Sequence, residues 1–145
     1  LFTAPPYALI STNSPLSIRK SITYKELAAL PLVLLDLPYT REYFVSLFRE
    51  RKLTPEVAHS TRSAEIARAL VDGGFGYTIL NIIPPDYGDS DSRFRAVPIS
   101  DFSEYPVFGI ATQNDTRPPK NVQAFIGSCM KLRAHGVFDT LVVRP

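Results

Sequence analysis

The stretch Leu32-Val33-Leu34-Leu35-Asp36-Leu37-Pro38-Tyr39-Thr40-Arg41-Glu42-Tyr43-Phe44 decides how this chain is read. Four successive apolar residues predict a strand buried on both faces, and Pro38 fixes the turn behind it. Thr40 stands where an N-cap belongs. A helix is expected over residues 41–51, with Tyr43, Phe44, Leu47 and Phe48 on one face and Arg41, Glu42, Arg49 and Glu50 outward. Amides that follow an N-cap lack intrahelical acceptors and carry the positive end of the helix dipole, so this junction can hold a carboxylate or phosphate without a dedicated cation. An ordinary capped helix that binds nothing has the same local pattern.

Working outward, Thr23 and Glu26 have capping-box spacing ahead of Leu27 and Leu30, and Pro31 ends that short helix before the buried strand. Residues 56–60 alternate like a strand, and Ser63 opens a helix with the stripe Ile66, Ala67, Leu70 and Val71. Gly73 and Gly74 stop it as a C-cap and tight turn, and residues 76–81 form another buried strand. This alternation of helix and strand over residues 23–81 implies a parallel sheet with right-handed crossovers. Further strands are expected at 6–12, 94–99 and 107–112, and a loop at Pro84-Pro85 and the acidic stretch 86–91. Pro118-Pro119 introduces a long helix whose Val122, Phe125, Ile126, Cys129 and Met130 make one stripe, with Cys129 as a small buried hydrophobe. Residues 137–144 fit either a strand or a docking tail.

The chain's 145 residues make about one domain, long enough for a real core. With 45% apolar and 21% charged residues the balance is that of a soluble globular protein, not of a tail or fibre. Sixteen Lys and Arg against 14 Asp and Glu leave +2 without a basic block, which gives no electrostatic footprint for nucleic acid or an anionic membrane. Cys129 stands alone, so no internal disulfide forms and a reducing, cytoplasmic setting is expected. The longest apolar run, 27–35, is interrupted by Pro31 and falls far short of the roughly 20 residues of a membrane span. Residues 1–6 lack the basic start and apolar stretch of a secretory signal. They also lack an initiator Met, the mark of a chain cut from something longer.

In a parallel sheet three strand ends meet, because ligands of open α/β sheets bind beyond the carboxyl ends of the strands. These ends carry Pro38-Tyr39-Thr40-Arg41, then His59-Ser60-Thr61-Arg62-Ser63, then Asn81. Two helix N-termini and several hydroxyls would face one crevice suited to a small carboxylate with an apolar or aromatic body. His59 is a poor acid-base candidate, since its strand neighbours point to opposite faces and no carboxylate is placed to orient the imidazole. His59, His135 and Cys129 contain no ligand pair at zinc spacing, and Asp86, Asp89 and Asp91 lack the pattern of an EF-hand. Gly73-Gly74-Phe75-Gly76 lies between helix and strand, whereas a phosphate-cradling loop precedes its helix. No catalytic residue, metal or cofactor is assigned.

From about residue 6 to 135 the chain resembles the effector-binding domain of LysR-type transcriptional regulators. The resemblance rests on Tyr24-Lys25-Glu26-Leu27-Ala28-Ala29-Leu30-Pro31-Leu32-Val33-Leu34-Leu35, on Leu53-Thr54-Pro55-Glu56-Val57-Ala58, and on a helix followed by Val71-Asp72-Gly73-Gly74-Phe75-Gly76-Tyr77 and a strand. It implies an α/β fold like the type 2 periplasmic binding proteins, with a small effector held between two subdomains. One Rossmann-like subdomain, residues 14–98, would be complete. Residues 1–13 would be a crossover strand and a remnant of the first subdomain, and 99–145 the return crossover and its C-terminal part. The strands at 7–12 and 97–102 approximate the crossovers.

By the same resemblance the ligand-contacting positions are Pro38, Tyr39, Thr40 and Arg41 after the first strand, Thr61 and Arg62 after the second, and Asn81. About half of the first subdomain, and the winged helix-turn-helix that alone would bind DNA, would precede Leu1. The apolar face of the helix at 121–134 would favour a homo-oligomer. The function implied is a cytoplasmic sensor without catalysis, binding a small, carboxylate-bearing effector. The alternatives are a solute-binding protein of the same architecture, which needs a signal peptide, and a small α/β enzyme, which needs a nucleophile, base and orienting acid.

Overall fold

In the computed structural model, which describes residues 1–83, 93–102, 106–113 and 117–143, the stretch 32–44 forms a strand, a tight turn and a helix. In chain order the elements are β1 (Phe2–Thr3), β2 (Tyr7–Ser11), α1 (Tyr24–Ala28), β3 (Pro31–Leu35), α2 (Thr40–Arg49), β4 (Glu56–Thr61), α3 (Ala64–Asp72), β5 (Thr78–Leu80), β6 (Phe94–Pro98), β7 (Val107–Phe108) and α4 (Lys120–Ala134). Two 3-10 turns lie at Pro15–Ile18 and Val137–Leu141. The expected acidic loop with Asp86, Asp89 and Asp91 falls outside the described residues.

Leu32 to Leu35 are all buried because β3 has a neighbour on each side. β4 pairs with it in parallel, from Pro31↔Glu56 to Leu35↔Thr61, and β5 joins in parallel through a bridge between Leu32 and Tyr77. Val33 N donates to Tyr77 O (2.8 Å) and Tyr77 N to Pro31 O (3.0 Å), which holds that seam. Gly76 makes it possible: its φ is +143°, and a Cβ there would fall 2.1 Å from Pro31 O. Gly73 closes α3 and Gly74 turns the chain at φ +78°, as the glycine cluster suggested.

Over residues 23–81 the strands β3, β4 and β5 are parallel, as the alternation implies, and the strands outside that stretch make the whole sheet mixed. β2 lies between β5 and β6 and is antiparallel to both. Alternation with helices sets the direction only of the strands those helices join, here β3, β4 and β5. β2 and β6 enter and leave this unit from its ends, so they are free to run the other way.

α1 opens at a complete capping box, with Glu26 N donating to Thr23 Oγ1 (3.2 Å) and Thr23 N to Glu26 Oε2 (2.9 Å). The Thr23 amide, with Arg19 and the Thr23 hydroxyl, holds the Glu26 carboxyl down to about 2. Tyr24, Leu27, Phe44, Leu47 and Phe48 from α1 and α2 pack on Leu32, Leu34, Tyr77 and Ile79. The Phe48 and Tyr24 rings meet edge to face at 5.0 Å, and the Arg51 guanidinium lies 4.5 Å over the Tyr24 ring. α3 packs on β2 and β3 with Ala67 and Val71 buried, but its expected stripe is narrower than the spacing suggested: Ile66 is 54% exposed. β4 is the edge strand, so Ile66 has no further strand to cover it.

β1 was not legible in the sequence. It pairs antiparallel with β7, and Phe2 stacks on both Phe108 (5.2 Å) and Phe138 (5.3 Å). β7 stops at Phe108 instead of continuing to residue 112, because β1 offers it only a two-residue partner. The C-terminal segment is a 3-10 turn tied down by Ile83 N donating to Leu141 O (2.8 Å), not a strand. On α4, Cys129 is buried, Val122 and Ile126 are half-buried, and Phe125 is 61% exposed beside exposed Met130 and Leu132.

Candidate binding cleft

Leu35, Thr61 and Leu80 end their strands at the same edge of the sheet, since β3, β4 and β5 are parallel and in register there. The turn after β3 differs in detail from the expected cap. Tyr39, not Thr40, is the residue before α2, and it stands at φ 65°, ψ −28° with its ring almost fully exposed. Thr40 is the first helical residue and makes no capping bond. The physical reason lies in Leu37-Pro38-Tyr39-Thr40: a proline at the second position and a positive φ at the third give a type II turn closed by Thr40 N donating to Leu37 O (3.1 Å). Holding a tyrosine in that conformation costs about 1–2 kcal/mol. Leu37 O also accepts from Arg41 N (3.3 Å), and Tyr39 O accepts from Tyr43 N (3.0 Å). Of the amides expected to be open after Thr40, the Glu42 N–H remains.

Two recesses flank this turn. One of about 360 Å³ lies between the starts of α2 and α3, the end of β5 and Phe108 of β7. Its wall is mostly apolar, with Leu35, Phe44, Leu80, Ile82, Ile83 and Phe108, and its polar groups come from Thr40, Glu65, Arg68 and Asn81. The other, of about 370 Å³, lies on the outer side of the turn and is lined by Asp36, Leu37, Pro38, Tyr39, Arg41, Glu42 and Arg62. The seven sequence-derived positions therefore do not share one crevice. Thr40 and Asn81 face the inner recess; Pro38, Tyr39, Arg41 and Arg62 face the outer one.

Thr61 lines neither recess. Its hydroxyl accepts from Ser63 N (3.2 Å) and its carbonyl from Asp36 N (2.7 Å), which aligns the ends of β3 and β4. Arg41 is held 3.4 Å from the Asp36 carboxylate, which also accepts from the Ser60 hydroxyl (3.3 Å). The outer recess is thus lined by two carboxylates and two cations, whereas the inner one has a mostly apolar wall with one of each, Glu65 and Arg68. Asn81 donates its amide to Ala4 O (2.8 Å) and to the Tyr43 hydroxyl (3.4 Å), so it ties the end of β5 to the chain before β2 and to α2.

Glu65, Arg68 and Phe108 were missed by sequence reasoning. The first two belong to the first turns of α3, and the Ser63 cap was a signal that this helix starts at the same edge. Glu65 accepts from the Ser63 hydroxyl (2.7 Å) and from its own amide, and these bonds hold its carboxyl below the ordinary value. The positive end of α3 is therefore occupied by the protein's own carboxylate. Phe108 is placed by the β1–β7 pair, which no local pattern announced.

His59 sits on the exposed edge strand with its ring edge-on to Phe75 at 5.6 Å. Among the described residues no group of three or more His, Cys, Asp or Glu side chains could hold a metal ion. No helix among them is long and apolar enough to cross a membrane.

A mixed sheet with helices on both faces and a recess at the carboxyl ends of its parallel strands makes this an α/β domain of the type 2 periplasmic-binding-protein-like fold. The chain matches the LysR substrate binding domain over residues 1–133 and belongs to that family. It is similar to the crystal structure of HinK, a LysR family transcriptional regulator from Pseudomonas aeruginosa, at 28% identity and a TM-score of 0.76, over 90% of this chain and 45% of that one. It is also similar to the C-terminal domain of a probable LysR family regulator from Rhodococcus, at 26% identity and a TM-score of 0.72, over 89% of this chain and 64% of that one. The CcmR regulatory domain from Synechocystis shares the fold, with 17% identity and a TM-score of 0.77 over 90% of this chain and 64% of that one. The chain thus spans less than two thirds of each of these structures. No curated protein matches it.

Proposed function

We propose that this chain is the effector-sensing part of a bacterial LysR-type transcriptional regulator, which binds a small carboxylate-bearing molecule and does no chemistry on it. The observation that carries this reading is the inner recess of about 360 Å³, an apolar chamber at the carboxyl ends of β3 and β5 with Thr40 and Arg68 among its few polar groups. Effector-binding domains of the same fold are solved with shikimate, 2-PG and benzoate bound. Thr40 contacts the ligand, Asn81 positions the end of β5, and Pro38, Tyr39, Arg41, Thr61 and Arg62 shape the rim. Residues 14–98 supply one wall of the cleft, and the segments 1–13 and 99–145 contribute to the other.

Binding transmits to a winged helix-turn-helix outside this chain by favouring one arrangement of a cytoplasmic homo-oligomer, which requires the ligand to bind that arrangement more tightly. The exposed Phe125, Met130 and Leu132 of α4 support association. Thermal-shift measurements on the full-length protein with benzoate, shikimate and other small carboxylates test the reading. A ligand at about 100 times its Kd stabilises by about 2.7 kcal/mol. Absence of any stabilisation across the panel contradicts it.

A further inference from the structure

Charge enters the inner recess from one helix. Ala64, Glu65 and Arg68 line it from the first turns of α3, and at spacings of three and four residues they share one side of that helix. Glu65 and Arg68 are the charged residues among the described ones that line it, and the rest of the wall is mostly apolar.

The Glu65 carboxylate is folded back over the start of α3, where it accepts from the Ser63 hydroxyl (2.7 Å) and from its own amide. It is therefore held at the end of the helix that borders the recess, and the same bonds keep it ionised near neutral pH. A carboxylate has more acceptor sites than these bonds use, so it can still take a donor from a ligand. The Arg68 guanidinium presents several N–H donors, enough for a ligand carboxylate beside a partner within the protein.

A ligand bearing only a carboxylate brings a second negative charge beside Glu65, which offsets its attraction to Arg68. An ammonium group on the same ligand turns that repulsion into attraction. Residues three apart on a helix have Cβ atoms about 5–6 Å apart, so the two charges of this pair stand side by side, as the ammonium and carboxylate of an α-amino acid do on their shared carbon. The volume of about 360 Å³ is at the small end of the roughly 300–1,000 Å³ of ligand pockets, and its apolar wall suits one aromatic or branched side chain.

We propose that the effector is an α-amino acid with a large apolar side chain, its ammonium group paired with Glu65 and its carboxylate held by Arg68 and Thr40. This rests on the reading of the inner recess as the effector cleft and narrows the ligand from a carboxylate to a zwitterion.

The test is isothermal titration of the full-length protein and of Glu65→Gln with two pairs of ligands: L-phenylalanine with hydrocinnamate, and L-leucine with isocaproate. The second member of each pair is the same acid without its ammonium group. At least one of the amino acids should bind the wild type at least tenfold more tightly than its partner. Glu65→Gln should weaken that amino acid about tenfold and strengthen its partner, because one loses an attraction and the other a repulsion. A merely structural role for Glu65 would move both affinities in the same direction. The wild-type comparison stands whether or not the variant folds. The proposal is overturned if neither amino acid binds the wild type, if hydrocinnamate and isocaproate bind it as tightly as their amino acids, or if a folded Glu65→Gln leaves the preference for the ammonium group unchanged. Binding of the deaminated acids in those cases leaves the carboxylate cleft standing, and the cleft itself falls only if the wider carboxylate panel also fails to bind.

Discussion

Replacing Thr40 with alanine separates two roles that look alike in the sequence. Were Thr40 the N-cap, its removal would cost about 1 kcal/mol of stability whatever it does for a ligand. In the structure the residue before α2 is Tyr39, and Thr40 is the first helical residue without a capping bond. Alanine is intrinsically better than threonine in a helix by roughly 0.5 kcal/mol, so Thr40→Ala should leave stability unchanged or slightly raised. The same residue borders the inner recess, where one hydrogen bond from its hydroxyl to a charged ligand would be worth about 1.5–3 kcal/mol. The lower figure already corresponds to a Kd about tenfold higher. Urea melts should therefore overlay for wild type and variant, within about 0.5 kcal/mol, while titration with the stabilising carboxylate shows at least that tenfold loss. A variant that loses about 1 kcal/mol of stability and binds as well as wild type refutes the reasoning and makes Thr40 a cap.

Gly76→Ala places a Cβ 2.1 Å from Pro31 O and breaks the β3–β5 seam, so it should cost about 3 kcal/mol or more in a chemical melt; a loss under 1 kcal/mol counts against the seam. Phe48→Ala removes a fully buried ring from the core between α1, α2 and the sheet and should cost about 3–5 kcal/mol. The carboxyl of Glu26 is lowered in the folded state from 4.5 to about 2, so its contribution is complete above the ordinary value and disappears as pH falls between about 4.5 and about 2. Glu26→Gln should flatten that part of the pH–stability curve, and an unchanged slope would remove the capping box as its origin. On the proposed association through α4, Phe125→Glu should give a smaller mass than wild type in light scattering without affecting ligand affinity; an unchanged mass means α4 does not mediate association.

What was legible in the sequence was what short-range physics decides. The capping box at Thr23 and Glu26, the cap at Ser63 and the apolar strand before Asp36 all appear where expected, because each depends on neighbours within a few residues. The direction of β2 and β6 depends on partners far along the chain, and helix–strand alternation says nothing about it. Tyr39 hid the cap for a related reason: a positive φ is expected of glycine or asparagine, and only the Leu37 carbonyl, which accepts from two amides, shows why the turn closes one residue earlier. The site was half legible. Thr40 and Asn81 could be placed at one edge from strand order, whereas Phe108 comes from a two-residue pairing with Phe2 and Thr3 that carries no sequence signal. Arg41, with its guanidinium beside Asp36, shows the remaining limit, since a residue type suited to an anion is turned to the outer side of the turn by its own helix.

The most direct test of the central claim is a crystal structure of the full-length protein with the carboxylate that raises its melting temperature most. The ligand should lie in the inner recess, with its carboxylate within hydrogen-bond distance of the Thr40 hydroxyl and its apolar body against Phe44, Leu80 and Phe108. Ligand density confined to any other place, with this recess left empty of ligand, would contradict the account.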